Sequence, residues 1–180
     1  MSLRLSLHPH PASHSRAVRE VLVEVVQSRR DLVTVWYTVY GEVAELVIPR
    51  AAEPRRTDGL WESTCFELFV RFGPDDGYDE LNFSPSTQWA AYRFSGYREG
   101  MASAPLVHEP IISASELHGS FELHVSVPIR LPPSGRLGLS AIIEEKSGRK
   151  SYWALAHPPG EPDFHDPACF ALQLPAARLA

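Results

Sequence analysis

From Trp61 to Phe72 the chain reads WESTCFELFVRF, and a strand period of two divides it into two sets. Phe66, Leu68, Val70 and Phe72 fall on one face, Cys65, Glu67, Phe69 and Arg71 on the other. Gly73, Pro74, Asp75, Asp76 and Gly77 supply preset or positive φ, so the next strand, Tyr78 to Ser84, is expected to return antiparallel. If Leu81 and Phe83 join the apolar face, Glu80 and Asn82 lie on the face of Glu67. Ser84 to Thr87 breaks this strand, and Trp89 to Phe94 forms a third one rich in aromatics. Two carboxylates and a carboxamide interleaved with aromatic rings are unlike a plain solvent face.

The rest of the chain repeats the short-strand pattern. Leu3, Leu5 and Leu7 alternate with Ser2, Arg4 and Ser6, and Pro9 to Pro11 ends the run. Ala17 to Gln27 fits a helix by Val18, Val21, Leu22 and Val25, or a strand by Val21, Val23 and Val25; its valine density favours the strand. In Asp31 to Tyr40, Val33, Val35, Tyr37 and Val39 oppose Leu32, Thr34, Trp36, Thr38 and Tyr40. Large side chains on both faces predict an inner strand, with Trp36 in the core. Leu46 to Pro49 reads as a brief strand, and Arg50 to Gly59 as a polar loop placed to form either a pocket rim or a basic surface. Pro110 predicts an edge or bulge before Ile111 and Ile112. Phe121, Leu123, Val125 and Val127 mark the most regular strand, Ser147-Gly148 is a hairpin signal, and Phe170 to Leu174 closes the chain. About ten short strands without a long helix predict an all-β antiparallel sandwich of jelly-roll character, one domain over residues 1–180.

The bulk numbers exclude several classes. A net charge of -5, spread along the chain, offers nothing to nucleic acid. No apolar stretch reaches signal-peptide or membrane-span length, so the expected location is cytoplasmic and no membrane partner is expected. Cys65 and Cys169 lack metal-ligand spacing and are expected as two reduced thiols. His8, His10 and His14 cluster in a loop, where no carboxylate or cysteine completes a metal shell.

LWESTCFELFVRF and YDELNFSPSTQWAAYRFSGYREGM, with the later YWALAH and PDFHDPACFALQL, resemble the DOMON-like group of β-sandwich domains, which is related to the family 9 carbohydrate-binding modules. These segments cover about half of the chain in the expected order. The wider group holds sugar-binding and haem-binding modules, and fold alone does not choose between them. Family 9 modules clamp a sugar between two tryptophans and bond it through carboxylates and amides. The resemblance therefore points to Glu67, Glu80 and Asn82 in the ELF and ELN strands.

A sugar site needs flat aromatic surface for the apolar side of a pyranose and planar polar groups for its hydroxyls. Trp61, Trp89, Tyr92 and Trp153 are candidates for the first, and Glu67, Glu80, Asn82, Arg98 and His157 for the second. The expected function is non-catalytic binding of a small ligand, a saccharide, on a concave aromatic and carboxylate-lined face. Three alternatives stay open. Glu67 and Glu80 could be structural carboxylates paired with Arg71, Arg93 or Arg98. They could also be the carboxyl pair of a glycan-active hydrolase, which needs a separation of ~5 Å or somewhat more; the resemblance, to binding modules, argues against this. The third is a metal or haem module. His157, Asp163, His165 and Asp166 form the richest set of metal-ligand types, without the HExxH pattern, and a structural role for the histidine is favoured. Calcium is found in some family 9 modules, but no loop here has EF-hand spacing. Haem relatives use a methionine and a histidine, for which Met101 and His108 are candidates, and the CxxCH motif is absent. No cofactor is expected.

Overall fold

The computed structural model describes residues 2–73 and 77–174. Its strands are β1 (Ser2–Pro9), β2 (Val18–Arg29), β3 (Leu32–Gly41), β4 (Cys65–Arg71), β5 (Tyr78–Phe83), β6 (Trp89–Phe94), β7 (Ala102–Ser103), β8 (Ile111–Leu117), β9 (Ser120–Val127), β10 (Arg136–Glu144), β11 (Lys150–Ala154) and β12 (Leu172–Gln173). All named pairings are antiparallel. One sheet runs β1-β2-β3-β9-β8; the other runs β7-β6-β5-β4-β10-β11, with β12 beside β10. The two are joined at β1, whose residues Ser2 to Leu7 pair with β2 while His8 and Pro9 pair with Ala154 and Trp153 of β11. The result is the predicted all-β antiparallel sandwich, curled about β1. Among the described residues no helix is long and apolar enough to cross a membrane.

Valine settles the ambiguous second segment. Val21, Val23 and Val25 are fully buried, and β-branched side chains at every second position suit a pleated, one-sided surface. They meet Val33, Val35, Tyr37 and Val39 of β3 and Phe121, Leu123 and Val125 of β9. Across the core lie Phe66, Leu68 and Val70 of β4, Leu81 and Phe83 of β5, and Leu137, Leu139, Ala141 and Ile143 of β10. Phe66 ties the layers together, its ring centroid 5.0 Å from Tyr37 and 6.1 Å from Phe121. The Tyr37 hydroxyl, otherwise an unsatisfied polar group in this core, donates to the Glu67 carbonyl at 2.6 Å.

Several local expectations are corrected. Leu46 to Pro49 is not a strand: a 3-10 turn at Val43–Glu45 leads into a single bridge, Leu46 to Glu145. Phe72 lies beyond the end of β4 and is largely exposed. β3 is an inner strand of its sheet, between β2 and β9, yet Trp36 is 43% exposed because the valines and Tyr37 occupy the core face. Its indole lies against His124 on the outer surface, centroids 4.4 Å apart. Pro74, Asp75 and Asp76 of the expected turn lie outside the described residues, while β4 and β5 pair antiparallel as expected. Both cysteines are buried free thiols.

Truncating the ring that links the two sheets, Phe66→Ala, should lower unfolding free energy by about 3–5 kcal/mol in chemical denaturation, as for other large core aromatics.

Candidate functional site

The second sheet is buried on both faces, which a strand period of two permits without altering its backbone. Its inward residues form the sandwich core; its outward residues Phe69, Tyr78, Ala90, Tyr92, Phe94, Ile142 and Ala154 form a second cluster with Phe164 and Phe170 from beyond the sheet. Register sets polar groups among these rings. One rung across the strands is Ser140, Glu67, Asn82 and Ala90; the next is Gly138, Phe69, Glu80 and Tyr92. Glu67, Glu80 and Asn82 therefore share one face, as the alternation predicts. Ser140 donates to Glu67 Oε2 at 2.9 Å, and Asn82 Nδ2 donates to Glu80 Oε1 at 2.8 Å.

Residues 155–171 cover part of this face. Phe170 packs on Phe69 and Tyr78, centroids 5.7 and 5.3 Å away, and the His165 ring sits 5.0 Å from Phe94. Gly138 makes the close approach feasible, since a Cβ there would lie 3.2 Å from Phe69 Cβ and 3.3 Å from the Cys169 carbonyl oxygen. Asp166 caps the 3-10 turn Pro167–Cys169 by accepting from Ala168 N at 2.8 Å. Asp163 is the clasp. Its carboxylate accepts from Arg98 Nη2 at 2.7 Å, from the Tyr97 hydroxyl, and from His165 N at 3.1 Å. These bonds hold its pKa below the ordinary aspartate value against the opposing effect of burial.

Where the cover stops, a cavity of 370 Å³ opens over the carboxyl groups. Glu67 and Glu80 lie at its base; Tyr92, Phe94, Ile142, Tyr152 and Phe164 supply apolar walls; Trp61, Arg98, Met101, Pro162 and His165 complete it. Trp61 does not lie on β4. It sits on the 3-10 turn Leu60–Glu62, which follows Gly59 at φ +75° and lifts the indole to the rim, 41% exposed. There it meets Tyr92 edge-on at 6.0 Å. Tyr92 is anchored by donating to Asp58 Oδ1 at 2.6 Å, and the Arg56 guanidinium lies 5.4 Å from its ring. Part of the predicted polar loop thus buttresses the aromatic wall. Arg98 adopts φ +55°, an unusual conformation for a residue with a Cβ, and the Asp163 contact holds it there.

Burial governs the electrostatics. It pushes the Glu67 carboxyl up to about 8, helped by the neighbouring charge of Glu80 and opposed by Ser140 and Arg98. It pushes Glu80 up to about 6 against the opposing Asn82 bond and the Arg98 charge. Burial and the Arg98 charge bring His165 down to about 4, so its imidazole is neutral at neutral pH. Such a site offers hydrogen-bonding carboxyl groups beneath rings and little net charge.

Of the predicted site residues, Trp61, Glu67, Glu80, Tyr92 and Arg98 meet at the cavity. Asn82 lies beneath it, fully buried and bonded to Glu80. Trp89 and Trp153 are placed elsewhere: both are buried in the sandwich core, Trp153 with its indole N–H on Ser151 Oγ at 2.9 Å. The alternation that sends Tyr92 outward sends Trp89 inward, since they are three residues apart on one strand. His157 is also outside the cavity; its Nε2 donates to the His8 carbonyl at 2.8 Å and its ring meets buried His10 edge-on. Asp163, His165 and Asp166 are engaged in the contacts above, and among the described residues no group of three or more His, Cys, Asp or Glu is arranged to hold a metal. Sequence reasoning missed Phe94, Ile142, Tyr152 and Phe164 as lining residues and Ser140 as the partner of Glu67. Period two on β10 carried a signal for two of these, because Ser140 and Ile142 alternate with the core residues Leu139, Ala141 and Ile143.

No family model matches the chain, and no curated protein sequence does. Its fold is shared by solved structures of low identity. A candidate carbohydrate-binding protein from Bacteroides uniformis is 16% identical with a TM-score of 0.66, covering 94% of this chain and 83% of its own. A family 9 carbohydrate-binding module from Caldicellulosiruptor kristjanssonii, in complex with cellotriose, is 13% identical with a TM-score of 0.55, covering 97% and 84%. A family 9 module from the same organism in complex with glucose is 9% identical with a TM-score of 0.51, covering 94% and 81%. The chain shares the β-sandwich architecture of these proteins.

Asp163→Ala should raise hydrogen exchange across residues 160–170 while leaving β2 and β3 protected, and should lower the melting temperature. The stabilisation lost is that of a carboxylate with a depressed folded pKa. In the native protein it is present above the ordinary value of 3.8 and disappears as pH falls through the depressed one, so the melting-temperature gap between the two proteins should close in acid.

Proposed function

We propose that the cavity on the second sheet binds a saccharide without covalent chemistry. The observation that carries this reading is the half-exposed indole of Trp61, set edge-on to Tyr92 above the buried carboxyl groups of Glu67 and Glu80. A pyranose has an apolar face that suits an aromatic ring and a rim of hydroxyls that suits planar acceptors. A cavity of 370 Å³ falls in the usual range for small-molecule sites. The shared fold supports the reading, since two of the solved structures are family 9 carbohydrate-binding modules holding cellotriose or glucose. In this reading Trp61 and Tyr92 contact the ring, and Glu80 and Arg98 bond its hydroxyls.

One observation favours a second reading, a glycan-active hydrolase. Glu67 and Glu80 differ in how far their pKa values are raised, and such separation is what acid–base carboxyl pairs use. Binding is preferred because the carboxyl groups already have protein partners: Ser140 on Glu67, Asn82 on Glu80, and His165 facing Glu80 at 3.6 Å.

Titration with a panel of mono- and oligosaccharides, followed by intrinsic tryptophan fluorescence, should give a saturable change with at least one sugar and no turnover. Trp61→Ala and Glu80→Ala should each weaken that affinity about tenfold or more, about 1.4 kcal/mol. Trp36→Ala, on the outer face of the other sheet, should leave it unchanged. No response to any sugar would overturn the binding reading, and release of reducing ends would favour the hydrolase.

A further inference from the structure

Asn82 has an unanswered acceptor whose satisfaction fixes the protonation of the cavity floor. The side chain is fully buried; Nδ2 donates to Glu80 Oε1, while Oδ1 is closed to solvent and has no donor among the described residues. Turning the amide over would set Oδ1 against Glu80 Oε1, which could then serve it only by carrying a proton itself, and Glu80, raised less than Glu67, is the poorer holder of that proton. The orientation shown is therefore preferred, and a buried carbonyl oxygen without a donor is strongly disfavoured.

Three nearby donors are already engaged. The Ser140 hydroxyl donates to Glu67 Oε2, the Tyr37 hydroxyl to the Glu67 carbonyl, and the Cys65 thiol leans on the Phe66 carbonyl at 3.8 Å. On β6 the residue paired with Asn82 is Ala90, which has nothing to donate. On β4 it is Glu67. Side chains directly opposite on antiparallel strands have Cβ atoms about 4.5–5.5 Å apart, within reach of a glutamate. With Oε2 taken by Ser140, the other Glu67 oxygen can serve Asn82 only by carrying a proton.

The same accounting makes Glu80 the anion. Tyr78 Oη accepts from Arg98 N at 3.3 Å, leaving the tyrosine's own proton for His165 Nδ1 at 2.7 Å. His165 then carries its hydrogen on Nε2, which faces Glu80 Oε2 at 3.6 Å. Both Glu80 oxygens thus face donors, Asn82 Nδ2 within hydrogen-bond length and His165 Nε2 beyond it, and Glu80 is raised less than Glu67.

We infer that Glu67 is a neutral carboxylic acid that positions Asn82, and through it Glu80, so that Glu80 alone presents a carboxylate to the ligand. The charged and titratable groups around Glu67 agree. Cys65 lies near it on β4, Glu80 on β5, Tyr37 across the core and Arg98 after β6, with His165 facing Glu80 from the covering segment; of these, Arg98 alone is a cation, and Asp163 holds it. Burial and Glu80 outweigh Arg98 and Ser140. Taken with the saccharide reading, on which this last step rests, a single carboxylate beside Arg98 suits an uncharged sugar over a cationic amino sugar.

The protonation can be tested without any ligand. In infrared difference spectra the protonated-carboxyl band seen at neutral pH should vanish in Glu67→Gln; in Glu80→Gln it should remain but titrate at lower pH, because burial still raises Glu67 while the Glu80 charge no longer does. Stability gives a second readout. A carboxyl with a raised folded pKa stabilises fully below its ordinary value of 4.5, and that contribution is lost as pH rises through about 8 for Glu67, or about 6 for Glu80. His165, with its depressed pKa, acts in the opposite sense between about 4 and 6.5. Well above 6.5, where Glu80 has lost its proton and the depressed His165 and His157 are neutral folded or unfolded, the Glu67 slope dominates, so the unfolding constant should rise by up to about tenfold per pH unit toward 8. Glu67→Gln, whose amide can both donate to Asn82 and accept from Ser140, should remove that slope; Glu67→Ala should be less stable than Glu67→Gln. Persistence of the band in Glu67→Gln, its absence from Glu80→Gln at every pH down to about 5, or an unchanged slope in Glu67→Gln would overturn the assignment. Should Glu67→Gln fail to fold, the band in Glu80→Gln still decides. These outcomes are separate from the sugar titration, so either idea can fail alone.

Discussion

The site depends on one constraint, the burial of the second sheet on both faces. β4, β5 and β10 pack Leu68, Leu81 and Leu139 against the other sheet, so the residues between them are obliged to face away. Had that outer face been left to water, Glu67 and Glu80 would be ordinary solvated carboxylates. Residues 155–171 and the aromatic rows close it, and a carboxyl group in such surroundings must either find hydrogen-bond partners or give up its charge. Both responses are visible, in the bonds from Ser140 and Asn82 and in the upward shifts of the two glutamates.

The covering segment is held by geometry as well as by apolar contact. Gly138 spares the crowding that a Cβ there would bring against Phe69 and the Cys169 carbonyl, and Asp163 gathers donors from Tyr97, Arg98 and His165. The rim is built differently. Trp61 stands on a turn whose entry requires the left-handed conformation of Gly59, and Tyr92 leans on Asp58 and Arg56 from the preceding loop. Cavity and cover therefore share anchors: Arg98 lines one and clasps the other.

Trp36 and Trp89 show how a strand period is legible while its phase against the core is not. Both lie on strands expected from the pattern, and each occupies the side opposite to the expected one. On β3 the valines and Tyr37 take the core face, leaving Trp36 outside against His124; on β6 Trp89 turns inward and Tyr92 outward. A tryptophan is apolar enough for a core and flat enough for a surface, so its identity carries little information about which side it takes. His157 likewise has the chemistry of a ligand residue, but hydrogen-bonds to the chain near its start.

The sequence by itself determined most of the strands, the antiparallel sandwich and the shared face of Glu67, Glu80 and Asn82, because a pleated strand alternates its sides with a period of two wherever it lies. It also marked Trp61, Tyr92 and Arg98 as candidates, and these three line the cavity. Only the tertiary structure decided that this face would be covered, that Phe164 and His165 would arrive from the far end of the chain to complete it, and that Trp89 and Trp153 would not take part. Those outcomes come from contacts between residues distant in sequence. Local alternation fixes which side chains travel together; packing fixes what they meet, and with it the burial that sets the charge of the two glutamates.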